Sequence, residues 1–128
     1  MIQPNKSKPH AVRAVAALTA AYVAATVFSA DEHNTLGILV QYTKGDEDSM
    51  ELKVESSIDA GTTYGQEVTE STSGGTVTET LAVRQFTVTG NYWVVINPIK
   101  ADTIKISAKA TGGTPTGTLA LNAQTSWT

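Results

Sequence analysis

Branching at Cβ constrains this chain more than any other feature. Of its 128 residues, 20 are Thr, 12 Val and 7 Ile, so 39 positions carry a stiff, branched side chain. Such side chains lose χ1 freedom in a helix and fit a pleated, half-buried surface. The chain is therefore expected to be all-β.

The order of residues gives the strands. Leu36, Ile38, Val40 and Tyr42 alternate with Gly37, Leu39 and Gln41, and Met50, Leu52 and Val54 alternate with Glu51, Lys53 and Glu55. Period-2 alternation marks strands with one buried face, and Lys44 to Asp48 between them reads as the turn of a hairpin. Tyr64 to Thr69 reads as a shorter strand, Ser71 to Gly75 as a polar loop, and Val77 to Val88 as one or two strands. Tyr92 to Ile96 is apolar enough for a central strand closed by Pro98. Ile104, Ile106 and Ala108 alternate with Lys105, Ser107 and Lys109, and past the Gly112-Gly113-Thr114-Pro115 turn Leu119 and Leu121 share a face. Seven or eight strands without internal repeat predict a single antiparallel β-sandwich of jelly-roll or immunoglobulin-like type over residues 14–128. Pro4 and Pro9 make residues 1–13 an extended N-terminal arm. Residues 11–25, rich in Ala but with only a loose helical face, remain open between helix and strand, turning to strand by Tyr22 to Phe28.

Charge narrows the function. Lys6, Lys8 and Arg13 are the only charged residues before Asp31, and the remainder carries 12 acidic against 6 basic groups. A weakly basic arm thus precedes an acidic body whose lysines are scattered singly, which argues against direct nucleic-acid binding. With 0 Cys, disulfides, thiol nucleophiles and Cys-ligated zinc are impossible. The uncharged run from Ala14 to Ala30 has the outline of a secretory signal. Thr19, Tyr22, Thr26 and Ser29 interrupt it, so it is too polar for that role or for a membrane span, and is expected to stay in a chain that is not secreted.

Groups with chemistry are few. His10 lies in the arm, and His33 follows Asp31-Glu32 in a polar connector, where a solvated turn is expected in place of a Ser29–Asp31–His33 triad. Asp46, Glu47 and Asp48, with Asp59 nearby, have the ligand type Ca²⁺ takes, yet match no EF-hand loop; they read as a wet turn. Gly74-Gly75 and Gly112-Gly113 lie in Thr-rich turns, not in a phosphate loop. No catalytic, cofactor or metal residue is assigned, and the chain is read as not an enzyme.

Ser57-Ile58-Asp59-Ala60-Gly61-Thr62-Thr63-Tyr64 resembles an Asp-box, in which Ser57, Asp59, Gly61, Thr63 and Tyr64 would build a turn. Its function is structural; sialidase activity does not follow from one copy with Arg13 and Arg84 as the only arginines.

A wider resemblance covers about residues 20 to 127. Asn34 to Asp46, Met50 to Ser57 with the Asp-box-like turn, Gly90 to Trp93 and Ile104 to Gly112 resemble small β-sandwich virion proteins of tailed bacteriophages. The resemblance implies a capsid decoration (cement) protein or a head-fibre, neck or tail component, made in the host bacterial cytoplasm. Its partners would be other virion proteins such as the major capsid protein, with no membrane. By the same analogy it would be a homo-oligomer, taken as a trimer. The arm would dock on the particle through Lys6, Lys8 and Arg13. The alternative is a carbohydrate-binding or adhesive module, since jelly-roll sandwiches bind sugars through exposed aromatics. Tyr64, Tyr92, Trp93 and Trp127 are the candidates, with Trp93 and Trp127 as the glycan contacts.

Overall fold

A computed structural model describes residues 7–127. Among these residues every element is a strand, and every pairing is antiparallel. The twelve strands are β1 His10–Ala17, β2 Val23–Ala24, β3 Phe28–Ser29, β4 Thr35–Thr43, β5 Glu47–Ser57, β6 Gly65–Gln66, β7 Val68–Ser73, β8 Thr76–Leu81, β9 Arg84–Phe86, β10 Gly90–Ile96, β11 Thr103–Gly113 and β12 Thr118–Ser126. A four-stranded sheet has the order β1-β12-β4-β10; a six-stranded sheet runs β2-β11-β5-β6, with β3 beside β11 and β9 beside β5. β7 and β8 form a separate two-stranded ribbon.

The alternating positions read from the sequence line one core. Leu36, Ile38, Val40 and Tyr42 of β4 and Leu119, Leu121 and Ala123 of β12 are buried in the same cluster as Met50, Leu52 and Val54 of β5 and Ile104, Ile106 and Ala108 of β11. The two sheets thus share it, each side chain withdrawing apolar area worth roughly 1.5–3 kcal/mol for a large aliphatic group.

Several expectations change. The count rises from seven or eight to twelve because β2, β3, β6 and β9 are pairings of two or three residues, too short for a periodic signal. Tyr22 to Phe28 is not one strand. Residues 18–30 step along β11 instead, Ala25 N–H bonding to Ile106 O and Ala30 N–H to Asp102 O, while Thr26 N–H reaches across to Val12 O of β1. β4 and β5 do not form a hairpin: β4 pairs with β12 and β10, and β5 with β11, β6 and β9. Residues 44–46 therefore carry the chain from one sheet to the other, and residues 114–117 carry it back. β10 is an edge strand, not a central one. Ser71–Ser73 belong to β7, so the expected loop shrinks to the Gly74-Gly75 turn, both glycines having positive φ.

The strand that starts the described fold crosses the expected arm boundary. β1 runs continuously from His10 to Ala17 against β12, with register shifts between Ala11 and Arg13 and between Arg13 and Ala16. Ser7 is also tied down, its N–H to Thr125 O and its O to Gln124 Nε2.

The two corners meet on one carboxylate. Glu47 is fully buried and accepts hydrogen bonds from the Tyr42 hydroxyl (2.6 Å) and from the N–H groups of Gly45 (2.8 Å), Thr116 (3.0 Å) and Gly117 (2.8 Å). This corrects the wet turn: the middle acid of Asp46-Glu47-Asp48 faces the interior. A Cβ on Gly117 would collide with that carboxylate, so the close approach requires glycine there.

Candidate functional site

Charge segregates between the sheets. Arg13 is the only Asp, Glu, Lys or Arg in the four strands of the four-stranded sheet, whereas β5 and β11 carry Glu51, Lys53, Glu55, Lys105 and Lys109 at alternate positions. These side chains interlock: Lys53 and Lys105 approach Glu55 at 3.5 and 3.9 Å, Lys109 approaches Glu51 at 3.9 Å, and Lys53 and Lys109 sit over the Tyr22 ring. Such a lattice suits a face left in water. The opposite outer face lacks it.

On that face, whose one charged strand residue is Arg13 at the β1 edge, the register sets out rows across the strands. Trp93 lies beside Leu39 and Asn122, Asn91 beside Gln41 and Ala120, and Val95 beside Gly37 and Gln124. Tyr92 and Val94 point the other way onto the core. Trp93 is 61% exposed and Val95 53%. The Trp93 indole lies across Gly37, where any Cβ would meet its six-membered ring, so the absent side chain lets the ring lie flat. Beside it is a nearly apolar hollow of about 180 Å³ lined by Pro9, Leu39, Trp93, Asn122, Ala123 and Gln124. A larger, more polar hollow of about 380 Å³ lies among Val15, Gln41, Thr43, Asn91 and Thr118. An exposed tryptophan bordered by the amides of Asn122 and Gln124, free of charge, can take up apolar or polyhydroxylated surface without desolvating an ion.

The residues named from the sequence are dispersed. Lys6 lies outside the described residues. Lys8 is exposed. Arg13 turns its guanidinium onto its own backbone, donating to the carbonyls of Leu119, Ala16 and Ala17 at 3.1–3.3 Å, and partial burial lowers its pKa. Trp127 is half-exposed beyond the Ser126–Thr35 row, edge-on to His33 at 6.0 Å, well separated along the strands from the Trp93 row.

His33 is not in a solvated turn. It is buried, its Nδ1 2.8 Å from Thr125 Oγ1. Ser29 Oγ accepts from the Asp31 N–H at 3.1 Å. His10 stacks on Phe28 at 5.2 Å. Among the described residues no group of three or more His, Cys, Asp or Glu stands together as a metal site.

The Asp-box-like segment closes the turn between β5 and β6. Ser57 Oγ donates to Asp59 Oδ1 (2.6 Å) and accepts from the Gly61 N–H (2.9 Å), while Asp59 Oδ1 accepts from the Thr63 N–H (2.8 Å). Those donors, Ser57 first, hold the Asp59 carboxyl below its ordinary range. Gly61 takes φ +91°, and Tyr64 lies under Lys105 Nζ at 4.2 Å.

Sequence reasoning missed the ribbon. β7 and β8 are exposed at every residue, and the register gives them two unlike faces. One consists of Thr69, Ser71, Ser73, Thr76, Thr78 and Thr80; the other pairs Val68 with Leu81, Glu70 with Glu79 and Thr72 with Val77. Its base is held by the Arg84–Glu67 ion pair and by Ala82 N–H bonding to Glu67 O (2.8 Å). The Thr/Ser alternation was the available signal.

No protein-family model matches the chain, and neither a curated protein nor a solved structure is significantly similar to it.

Proposed function

We propose that the chain is a non-enzymatic structural protein of a tailed-bacteriophage virion, a two-layer β-sandwich of jelly-roll or immunoglobulin-like type that decorates or cements the head or forms part of a head fibre or neck. In this reading it binds other virion proteins, the major capsid protein first, as a homo-oligomer made in the host cytoplasm. The strand-turn resemblance motivates it. The observation that carries it is the outer face of the four-stranded sheet, which is free of charge in the rows around Trp93, set against the charged lattice of the opposite face. A body with one wet face and one uncharged face is built to lie between solvent and a surface. Met1–Arg13 would extend that contact, with Lys6 and Lys8 meeting acidic groups of the particle. Arg13 would contribute less, because its guanidinium is already satisfied.

A density gradient of a lysate of the source, read by mass spectrometry, tests this. The expected result is comigration with DNA-filled particles at a fixed ratio to a major shell protein. Exchange of Lys6 and Lys8 for Glu, outside β1, and Trp93→Lys should each release the chain, and absence from every particle fraction would end the reading.

One observation favours a second reading, a carbohydrate-binding or adhesive module. Trp93 is exposed, lies across Gly37 and borders a hollow with the amides of Asn122 and Gln124, a stacking platform with a hydrogen-bonding rim such as a sugar ring uses. A glycan-array signal abolished by Trp93→Ala would favour it over the virion reading; Trp127→Ala should matter less.

A further inference from the structure

We infer that β10 is the edge through which two copies of this chain pair, strand to strand, about a two-fold axis. One side of β10 is paired with β4 along its whole length, from Gly90↔Tyr42 to Ile96↔Leu36. Its other side meets no backbone partner among the described residues. An open edge of this kind is a template for another strand, and proteins that remain monomeric blunt it with charge, proline, bulges or a covering segment.

The other edges of the two large sheets are blunted in those ways, and the β7–β8 ribbon carries Glu70 and Glu79. β1 shifts register twice, carries Arg13 and is crossed by Thr26, whose N–H takes the Val12 carbonyl. The six-stranded sheet is flanked only by pieces of two or three residues. β10 has seven residues, no proline and no bulge against β4. It also sits inside a 15-residue run, Gln85 to Ile99, without a single charge.

The absence of charge selects the partner. In a two-fold antiparallel pair each residue meets the same strand running the other way, so any charge near the axis would face its like. β10 presents none. The pair would join two four-stranded sheets into one of eight, with Trp93 and Val95 of each copy packing beside those of the other and extending the uncharged face. A three-fold ring of strand pairs would need a second matching edge, and the other long open edges, those of β7 and β8, carry Glu70 and Glu79. The inference is thus a two-fold dimer, where the analogy implies a trimer. One strand pair with two large side chains per copy makes a small interface, and the dissociation constant is expected on the order of micromolar.

The inference does not depend on the virion reading, and its test uses the purified full chain alone. Sedimentation equilibrium through the micromolar range should show the mass rising from one chain to two. Val95→Lys places two ammonium groups beside the axis and should weaken association roughly a hundredfold with an unchanged far-UV spectrum. Trp93→Lys serves as the second variant. Ile58→Lys, at a still more exposed position in the β5–β6 turn, should associate like the parent. A parent chain that stays monomeric, a limiting mass of three chains, or undiminished association in both folded lysine variants would overturn the proposal.

Discussion

The hydroxyl of Tyr42, near the end of β4, donates at 2.6 Å to the carboxylate of Glu47, the first residue of β5, across the corner where the chain leaves one sheet for the other. The same carboxylate takes the N–H groups of Thr116 and Gly117, which belong to the corner returning from β11 to β12. Burial alone would push the Glu47 pKa up; the donors from Tyr42, Gly45 and Gly117 reverse this and hold it down to about 2. The shared negative charge also raises the Tyr42 pKa well above its ordinary value, after burial the next cause. A buried charge satisfied on this scale binds both corners to one point.

Acid should therefore loosen the fold in a defined window. The folded pKa of Glu47 lies below the ordinary 4.5, so its contribution is complete above about pH 4.5 and is lost as pH falls toward 2. That shift corresponds to about 3 kcal/mol. Urea titrations at a series of pH values should show this loss in the parent. In Glu47→Gln it should be missing, and that variant should already be less stable by about 3 kcal/mol at neutral pH, because an amide cannot accept all four donors. Equal acid sensitivity in both proteins would remove Glu47 from this role.

How much of this could be read in advance depends on the distance over which each feature acts. Period-2 alternation in Leu36–Tyr42 and Met50–Val54 is local, and it correctly identified the buried faces. It carries no information about partners, so two strands joined by a short turn were read as a hairpin although they lie in different sheets. Glu47 looked wet between Asp46 and Asp48 because its donors at Thr116 and Gly117 are about 70 positions away. His33 looked solvated for the same reason, its partner Thr125 being 92 residues on. Tyr92–Ile96 looked central since both its faces are apolar, but the outward one, Trp93 and Val95, is exposed. The uncharged segments 85–99 and 110–127 stood in the sequence throughout. Only the pairing of β10, β4, β12 and β1 turned them into a face.

The projecting ribbon should tighten when one carboxylate is removed. Glu70 and Glu79 face each other directly across β7 and β8, and like charges in that position destabilise a strand pair. Desolvation and then the hydrogen bond and charge of Glu70 raise the Glu79 pKa above 4.5. A raised carboxyl pKa contributes stability that is complete below the ordinary value and lost as pH rises through the folded one. Amide hydrogen-exchange protection in residues 68–81 should therefore be lower at neutral pH than in mild acid. In Glu79→Gln it should be higher at neutral pH and nearly independent of pH. An isolated two-stranded ribbon is marginal in water, which makes protection a sensitive readout.

The turn between β3 and β4 holds a strained pair. Asp31 and Glu32 both have positive φ, +54° and +59°, and His33 N–H closes the turn on Ala30 O at 2.9 Å. This is the geometry for which Asp-Gly is preferred, since a Cβ crowds the left-handed region at the second position. Glu32→Gly should raise stability by about 0.5–1 kcal/mol in spite of the added freedom of glycine in the unfolded chain. A thermal midpoint that falls on this exchange would show that the Glu32 side chain makes a contact worth more than the strain.

Gly37 offers a direct handle on the uncharged face. A methyl group there would meet the ring of Trp93, the flexible side chain of an edge strand, and not a fixed backbone atom, so the ring is what moves. Ala is also easier than Gly to order in a strand interior, offsetting part of the cost. Gly37→Ala should accordingly change stability by no more than about 1 kcal/mol while lifting the indole away from the sheet. In a Trp127→Phe background, where Trp93 is the sole tryptophan, the emission should shift to the red and acrylamide quenching should increase. An unchanged spectrum would mean that the indole does not rest on Gly37. A red shift accompanied by loss of sugar or particle binding would show that the flat indole, and not merely an apolar side chain at position 93, is what the face presents.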